Sequence, residues 1–196
     1  MAESELFADF LRRIRAGDER AASELVERYE PLIRRSIRLR LTDPSLARVI
    51  DVTDVCQSVL GSFFVRAAAG EYELSEPGQL VALLTRMARN KLASQARRNQ
   101  AQRRDGRRRA GDVNDLDPAA AGTTPSRVLA ARDLLEAVRS RLGDEERRLA
   151  DLRAQGLGWA EVAAALGGTP DGRRMQLARA LDRVTQELGL EESDYR

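Results

Sequence analysis

No histidine occurs anywhere in the 196 residues. That removes the commonest general base, the commonest metal ligand and the imidazole partner of serine and cysteine nucleophiles. A single cysteine, Cys56, leaves no intrachain disulfide and no thiolate metal cluster. It sits among Val52, Val55, Val59 and Leu60 at helical spacing, where a buried, inert thiol is expected. Aromatic residues make up only 4% of the chain, and β-branched runs are scarce, which argues against a sheet protein. No apolar run approaches the roughly 20 residues of a membrane span, and the acidic start MAESE does not read as a signal peptide. The chain therefore reads as soluble and cytoplasmic, without membrane insertion. No glycine-rich phosphate loop and no metal-ligand spacing is present. Carboxylates are plentiful, so composition alone does not exclude paired-acid catalysis. The reading is nevertheless a non-enzyme with neither cofactor nor metal.

What is present is charge. Hydrophobic residues account for 42% and charged residues for 33%, a balance that suits small helical domains with charged surfaces better than one large core. The net charge of +2 hides a strong segregation. From Arg86 to Arg109 there are ten Lys/Arg against one acid, Asp105, giving +9, whereas residues 1–85 carry −3 and residues 110–196 carry −4. Such a concentrated basic segment is the electrostatic footprint of a polyanion binder. Its first half is also patterned as a helix. Leu80, Leu84, Met87 and Leu92 recur on one face, while Arg86, Arg89, Asn90, Ala93 and Arg97 fall on another. A merely solvated helix usually interleaves both signs, and here acids are almost absent. Nucleic acid is the partner this pattern favours.

Along the chain, Leu6, Phe10 and Ile14 mark a first amphipathic helix that should stop at Gly17. Asp18 is a suitable N-cap for a second, which carries Ala22, Leu25, Tyr29, Leu32, Ser36 and Ile37 on one side and Pro31 within it. A proline there removes a hydrogen bond and predicts a kink or a break. A third helix is expected from about Asp51, with Val52, Val55, Cys56, Val59, Leu60 and Phe63 as its apolar stripe. A loop over residues 69–78 leads into the basic helix. From Asp105 to Pro125 composition shifts to Gly, Asp, Asn, Ala and Pro, which reads as a flexible linker.

Beyond it, Val128, Ala131, Leu135, Val138 and Leu142 predict one helix, and Gly143-Asp144 resets the chain into another that ends near Gly156. Trp159 to Leu166 forms a short helix, Gly167-Gly168-Thr169 a turn, and Pro170 opens the last helix with Thr169 as N-cap. Helix, glycine-containing turn, helix is the helix-turn-helix layout. Leu177, Leu181, Val184 and Leu188 should face inward there, with Arg173, Gln176, Arg179 and Arg183 on the outer half. An ordinary helical hairpin with solvated arginines fits that segment equally well when it is taken alone.

Three short segments, in this order, resemble the extracytoplasmic-function (ECF) sigma factors of bacterial RNA polymerase. Asp51, Asp54 and Gln57 in DVTDVCQ resemble the acid-xx-Asp-xx-Gln signature of the helix that docks on polymerase. Leu84 to Asn90, LTRMARN, resembles the segment bordering the promoter-melting loop. Gly156 to Gly167, GLGWAEVAAALG, resembles the start of the region 4 helix-turn-helix. There are departures: the family often places Trp and Tyr where Leu83 and Thr85 stand, and Gly168 and Arg173 occupy positions that are usually apolar.

The resemblance implies an all-α protein of two small helical domains joined by a flexible linker. Residues 1–104 would form sigma region 2, 105–125 the linker, 126–190 region 4, and 191–196 a tail. It implies core RNA polymerase, promoter DNA and an anti-sigma factor or other protein regulator as partners. Asp51, Asp54 and Gln57 would meet the polymerase. Tyr72, Gln79, Arg86, Arg89, Asn90, Lys91, Arg97 and Arg98 would act at the −10 element, with Arg103 to Arg109 adding non-specific phosphate attraction. Arg173, Arg174, Gln176, Arg179 and Arg183 would act at the −35 element. Two other readings compete: a helix-turn-helix regulator that never joins polymerase, and a helical adaptor whose basic segment neutralises an acidic partner.

Overall fold

The structure, a computed structural model, describes residues 2–108 and 127–190, and among them every regular element is an α-helix. α1 (Ala2–Arg15) stops just before Gly17, whose φ of 72° is the left-handed turn conformation. Asp18 then caps α2 (Glu19–Arg40), its Oδ1 accepting from the backbone N–H groups of Arg20 at 2.7 Å and Ala21 at 3.0 Å. Pro31 lies inside α2, yet the helix runs unbroken to Arg40, so a break is excluded. Tyr29, Ile33 and Ile37 are buried on either side of the proline, whereas Leu32, expected on the same side as Tyr29, is exposed because it turns off the face that meets the core.

α3 (Pro44–Ala47) is a single turn that hydrophobic periodicity did not mark. α4 (Val52–Ala68) starts at Asp51, whose carboxylate accepts from Thr53 N–H at 2.7 Å. Val55, Cys56, Val59, Leu60 and Phe63 are buried as their spacing predicts. Burial pushes the Cys56 thiol up to about 11, so it is an unreactive core group.

α5 (Pro77–Arg108) is the basic helix. It continues past the composition change at Asp105, so the first residues assigned to the linker are helical. The rest of that linker, Arg109 and the tail 191–196 lie outside the described residues. So do the side chains of Arg103, Arg104, Arg107 and Arg108, and those of Val128 and Ala131.

The second group comprises α6 (Arg127–Arg141), α7 (Asp144–Ala154), α8 (Trp159–Leu166) and α9 (Pro170–Glu187). Two glycine N-caps are closed by glutamates reaching back: Glu146 accepts from Gly143 N–H at 2.8 Å, and Glu161 from Gly158 N–H at 2.7 Å. Thr169 Oγ1 accepts from Gly172 N–H at 3.1 Å and fixes the start of α9.

Two apolar clusters result. α1, α2, α4 and α5 enclose Ile14, Leu25, Ile33, Ile37, Phe63, Leu80, Leu84 and Met87. α6 to α9 enclose Val138, Leu142, Leu149, Val162, Leu177, Leu181 and Val184. Fully burying each large aliphatic or aromatic side chain contributes roughly 1.5–3 kcal/mol. The two groups are not isolated beads: α6 lies on both α2 and α4, and α9 touches α4.

Candidate nucleic-acid interface

The inner face of α5 is fixed by burial of Leu80, Leu84, Met87, Ala88 and Leu92. With a residue every 100° around the axis, that leaves Arg86, Arg89, Ala93 and Arg97 in a row on the outer face, with Arg98 beside it. All five are exposed, and Asn90 is half-buried at the edge of the row. Lys91 differs. It is only 6% exposed, so it belongs to the packed side of the helix rather than the arginine row. At the helix start, Gln79 turns back, its Oε1 accepting from Ser75 N–H at 2.9 Å and Ser75 Oγ at 3.3 Å. That ties the end of the preceding loop to α5. In the same loop the Tyr72 ring stacks on Phe63, with centroids 5.6 Å apart and planes within 5°. One face of that ring is therefore used inside the protein.

Asp51, Asp54 and Gln57, three apart at the start of α4, are all exposed and share one face. Asp51 is already committed as the N-cap, so Asp54 and Gln57 are the members of the set with no capping duty. Nearby, Arg34 donates to Thr53 Oγ1 at 3.3 Å and pairs with Glu30.

The helix-turn-helix forms over α8 and α9 as the residue pattern predicts, with Ala163 buried where the two helices approach. Its five predicted readers divide into two sets. Arg173 points inward, its side chain only 14% exposed. It donates to the carbonyls of Leu166 at 2.6 Å and Gly167 at 2.8 Å, and to Glu145 Oε1 of α7 at 2.6 Å. Gln176 accepts from Arg173 at 2.7 Å and donates to Glu145 Oε2 at 3.1 Å. The hydrogen bond from Arg173 holds the Glu145 carboxyl below its usual range. This network explains how an arginine stands where an apolar residue is usual. Its guanidinium satisfies the carbonyls that end α8, and its stem supplies the packing.

Arg174 and Arg179 face solvent on α9, with half-exposed Met175 between them. Arg174 lies 3.6 Å from the exposed Asp171, and its charge also reaches Glu71 of the first domain. Arg183 is exposed but bridged to Glu146 at 2.8 Å. The structure thus brings the −35 candidates onto one helix while holding Arg173, Gln176 and Arg183 in contacts with α7.

Two functional-looking arginines escaped the sequence reading, Arg66 and Arg153, both buried. Periodicity could not flag Arg153 at the end of a charged helix. Arg66 left a weak signal, as a lone basic residue inside the apolar run from Val59 to Ala69. Among the described residues there is no cluster of His, Cys, Asp and Glu that could hold a metal ion, and no helix is long and apolar enough to cross a membrane.

Compared with known families, residues 4–188 match the family model described as ECF sigma factor. No curated protein and no solved structure matches the chain.

Proposed function

The chain belongs to the ECF sigma factor family, and from that premise we propose that it joins core RNA polymerase and directs promoter-specific initiation through two separate DNA contacts. The exposed face of Asp51, Asp54 and Gln57 docks on the polymerase. Acids there suit a basic protein surface and repel DNA. The outer arginines of α5 hold the backbone at the −10 element, and Asn90, beside them, pockets an unstacked base. α9 enters the major groove at the −35 element, where Arg174 and Arg179 read, while Arg173, Gln176 and Arg183 set the pose of the helix. An anti-sigma factor, or another protein regulator, is the remaining partner of this reading.

Strand opening needs no covalent chemistry, only tighter binding to unstacked bases than to the duplex. The observation that carries the proposal is the split of α5 into a buried apolar face and an outer row of exposed arginines. Such a helix is anchored by its own domain while presenting charge to a polyanion. Neither domain needs to bind strongly alone, because a short tether gives the second contact an effective concentration of roughly millimolar.

Run-off transcription from genomic fragments with and without core polymerase tests this. The proposal requires promoter-selective transcripts that depend on both proteins. Tight binding of intact duplex by the chain alone, with no effect on polymerase, would favour a free-standing helix-turn-helix regulator. Indifference to promoter sequence would favour an adaptor.

A further inference from the structure

Met175 breaks the polar character of the outer side of α9. Of the large apolar side chains left exposed among the described residues, Leu6, Leu32, Leu39 and Val49 lie in the first domain and only Met175, 42% exposed, lies in the second. The core of that domain takes up the other large apolar residues of the same helix, and Leu177, Leu181 and Val184 are fully buried. At 100° per residue, Met175 stands about 160° around the helix from Leu177. Its exposure is therefore set by the register of α9 and not by loose packing.

The surroundings of Met175 are of a particular kind. Asp171 lies one turn before it and Arg179 one turn after, and both are exposed. Further along the helix, Asp182 is engaged by Arg66 of α4 and Arg183 by Glu146. Towards α7, Arg173 and Gln176 are held by Glu145. The outer surface left by these contacts is the first three turns of α9, and Met175, the sixth residue of the helix, stands in the middle of them. In a helix-turn-helix, the N-terminal residues of the second helix are the ones that meet base edges in the major groove.

A thioether suits few of those edges. It has no hydrogen to donate and is a weak acceptor. Opposite adenine, guanine or cytosine it would cover polar edge atoms without replacing the water they lose. The C5 methyl of thymine is the one apolar group that a base presents in the major groove. An unbranched, polarisable side chain can pack against such a methyl in several rotamers.

We propose that Met175 is a specificity-determining residue of α9, selecting a thymine of the −35 element through its 5-methyl group. The inference rests on the reading above, in which α9 enters that groove. It also fixes a distance. Met175 and Arg179 are four residues apart, about 6 Å along the helix axis, which is about two base pairs at roughly 3.4 Å per pair. The thymine therefore lies within about two base pairs of the pair that Arg179 contacts.

The test uses the full chain bound to core polymerase. Selection from a randomised −35 library gives the preferred element, and repeating it with Arg179→Ala marks the base pair which that arginine contacts. Each thymine of the element, on either strand, is then replaced by deoxyuridine, which removes the methyl and keeps every hydrogen-bonding group. At one thymine, within about two base pairs of the marked pair, promoter binding by the natural chain should fall about fourfold, the usual worth of one buried methyl-sized group. Met175→Leu, still apolar, should keep that loss. Met175→Ala should bind the thymine and deoxyuridine promoters equally, while its urea unfolding curve superimposes on that of the natural chain. Tolerance of deoxyuridine at every thymine by the natural chain overturns the assignment, as does a loss that persists in Met175→Ala or an element with no thymine near the marked pair. Failure to join polymerase, or no preference at this element at all, would remove the underlying reading and the assignment with it. A clear preference that is indifferent to the methyl removes the assignment alone.

Discussion

The guanidinium of Arg173 on α9 grips Glu145 of α7 at 2.6 Å while capping the carbonyls of Leu166 and Gly167. The arginine nearest the start of α9 is thus spent on holding that helix in place. Its neighbour Arg174 is exposed. The two should separate under mutation. Arg173→Ala should destabilise the second domain by about 2 kcal/mol, the usual loss for hydrogen bonds to a charged group, and leave the preferred −35 sequence unchanged. Arg174→Ala should leave stability alone and relax selection at one or two base positions, by about 1–3 kcal/mol for each lost bidentate contact. Urea unfolding and selection from a randomised −35 library measure the two effects. A shifted consensus with Arg173→Ala would place that side chain on DNA instead.

The same contact should respond to pH. Glu145 is held below its ordinary value of 4.5, first by the Arg173 hydrogen bond and then by Gln176. A depressed carboxyl binds protons less readily in the folded state than in the unfolded one. Its contribution to stability is therefore complete above 4.5 and is lost as pH falls through the lowered folded value. Asp18 behaves likewise below its ordinary 3.8, mainly through the Ala21 N–H and then Arg13. Carboxyl carbon shifts followed by NMR should give a Glu145 midpoint under 4.5 in the natural chain, returning towards 4.5 in Arg173→Ala. A normal midpoint in both would mean the pair does not persist in solution.

At the start of α4 the acids have unequal roles. Asp51 caps the helix through Thr53 N–H, so Asp51→Ala should lower stability and polymerase binding together. Asp54 has no cap to hold. Asp54→Ala should weaken binding to core polymerase by about 2 kcal/mol or more, roughly thirtyfold, as expected when one member of a desolvated charge pair is truncated. Its unfolding curve should superimpose on that of the natural chain. Pull-down titrations with core polymerase decide this, and unchanged affinity would remove Asp54 from the docking face.

Local signals carried most of the fold. Gly17 with Asp18, Gly143 with Asp144, and Thr169 with Pro170 each stop or start a helix by their own backbone chemistry, and each stands where its residue type predicts. Leu80, Leu84 and Met87 are buried because a single helical period places them together. Pro31 does not break α2, because packing of Tyr29 and Ile33 on either side of it offsets the lost hydrogen bond. The candidate site was legible as a set of helices and less so as individual side chains. Lys91 and Arg173 carry the same charge as their exposed neighbours, and only the turn of the helix against its core decides which side they take. The partners of Arg66 and Arg153 lie 116 and 80 residues away, a separation that no local pattern encodes.

The arginine row of α5 and its edge residue Asn90 should fail in different ways. Arg89 is exposed on the outer face, where it would neutralise one phosphate. Arg89→Ala should lower the slope of log affinity against log salt by about 0.9 on duplex and about 0.7 on single strands, and weaken all promoters alike. Asn90 carries no charge and is half-buried beside the row, so Asn90→Ala should leave that slope unchanged and reduce open complexes. If Asn90 assists opening, a template already mismatched across the −10 region should restore much of the loss. If it only reads a base that is already flipped, the defect should persist on that template. Permanganate footprinting of both variants on duplex and pre-melted templates distinguishes these outcomes. Full opening by Asn90→Ala on the duplex would remove Asn90 from the melting step and leave α5 as a phosphate-binding helix alone.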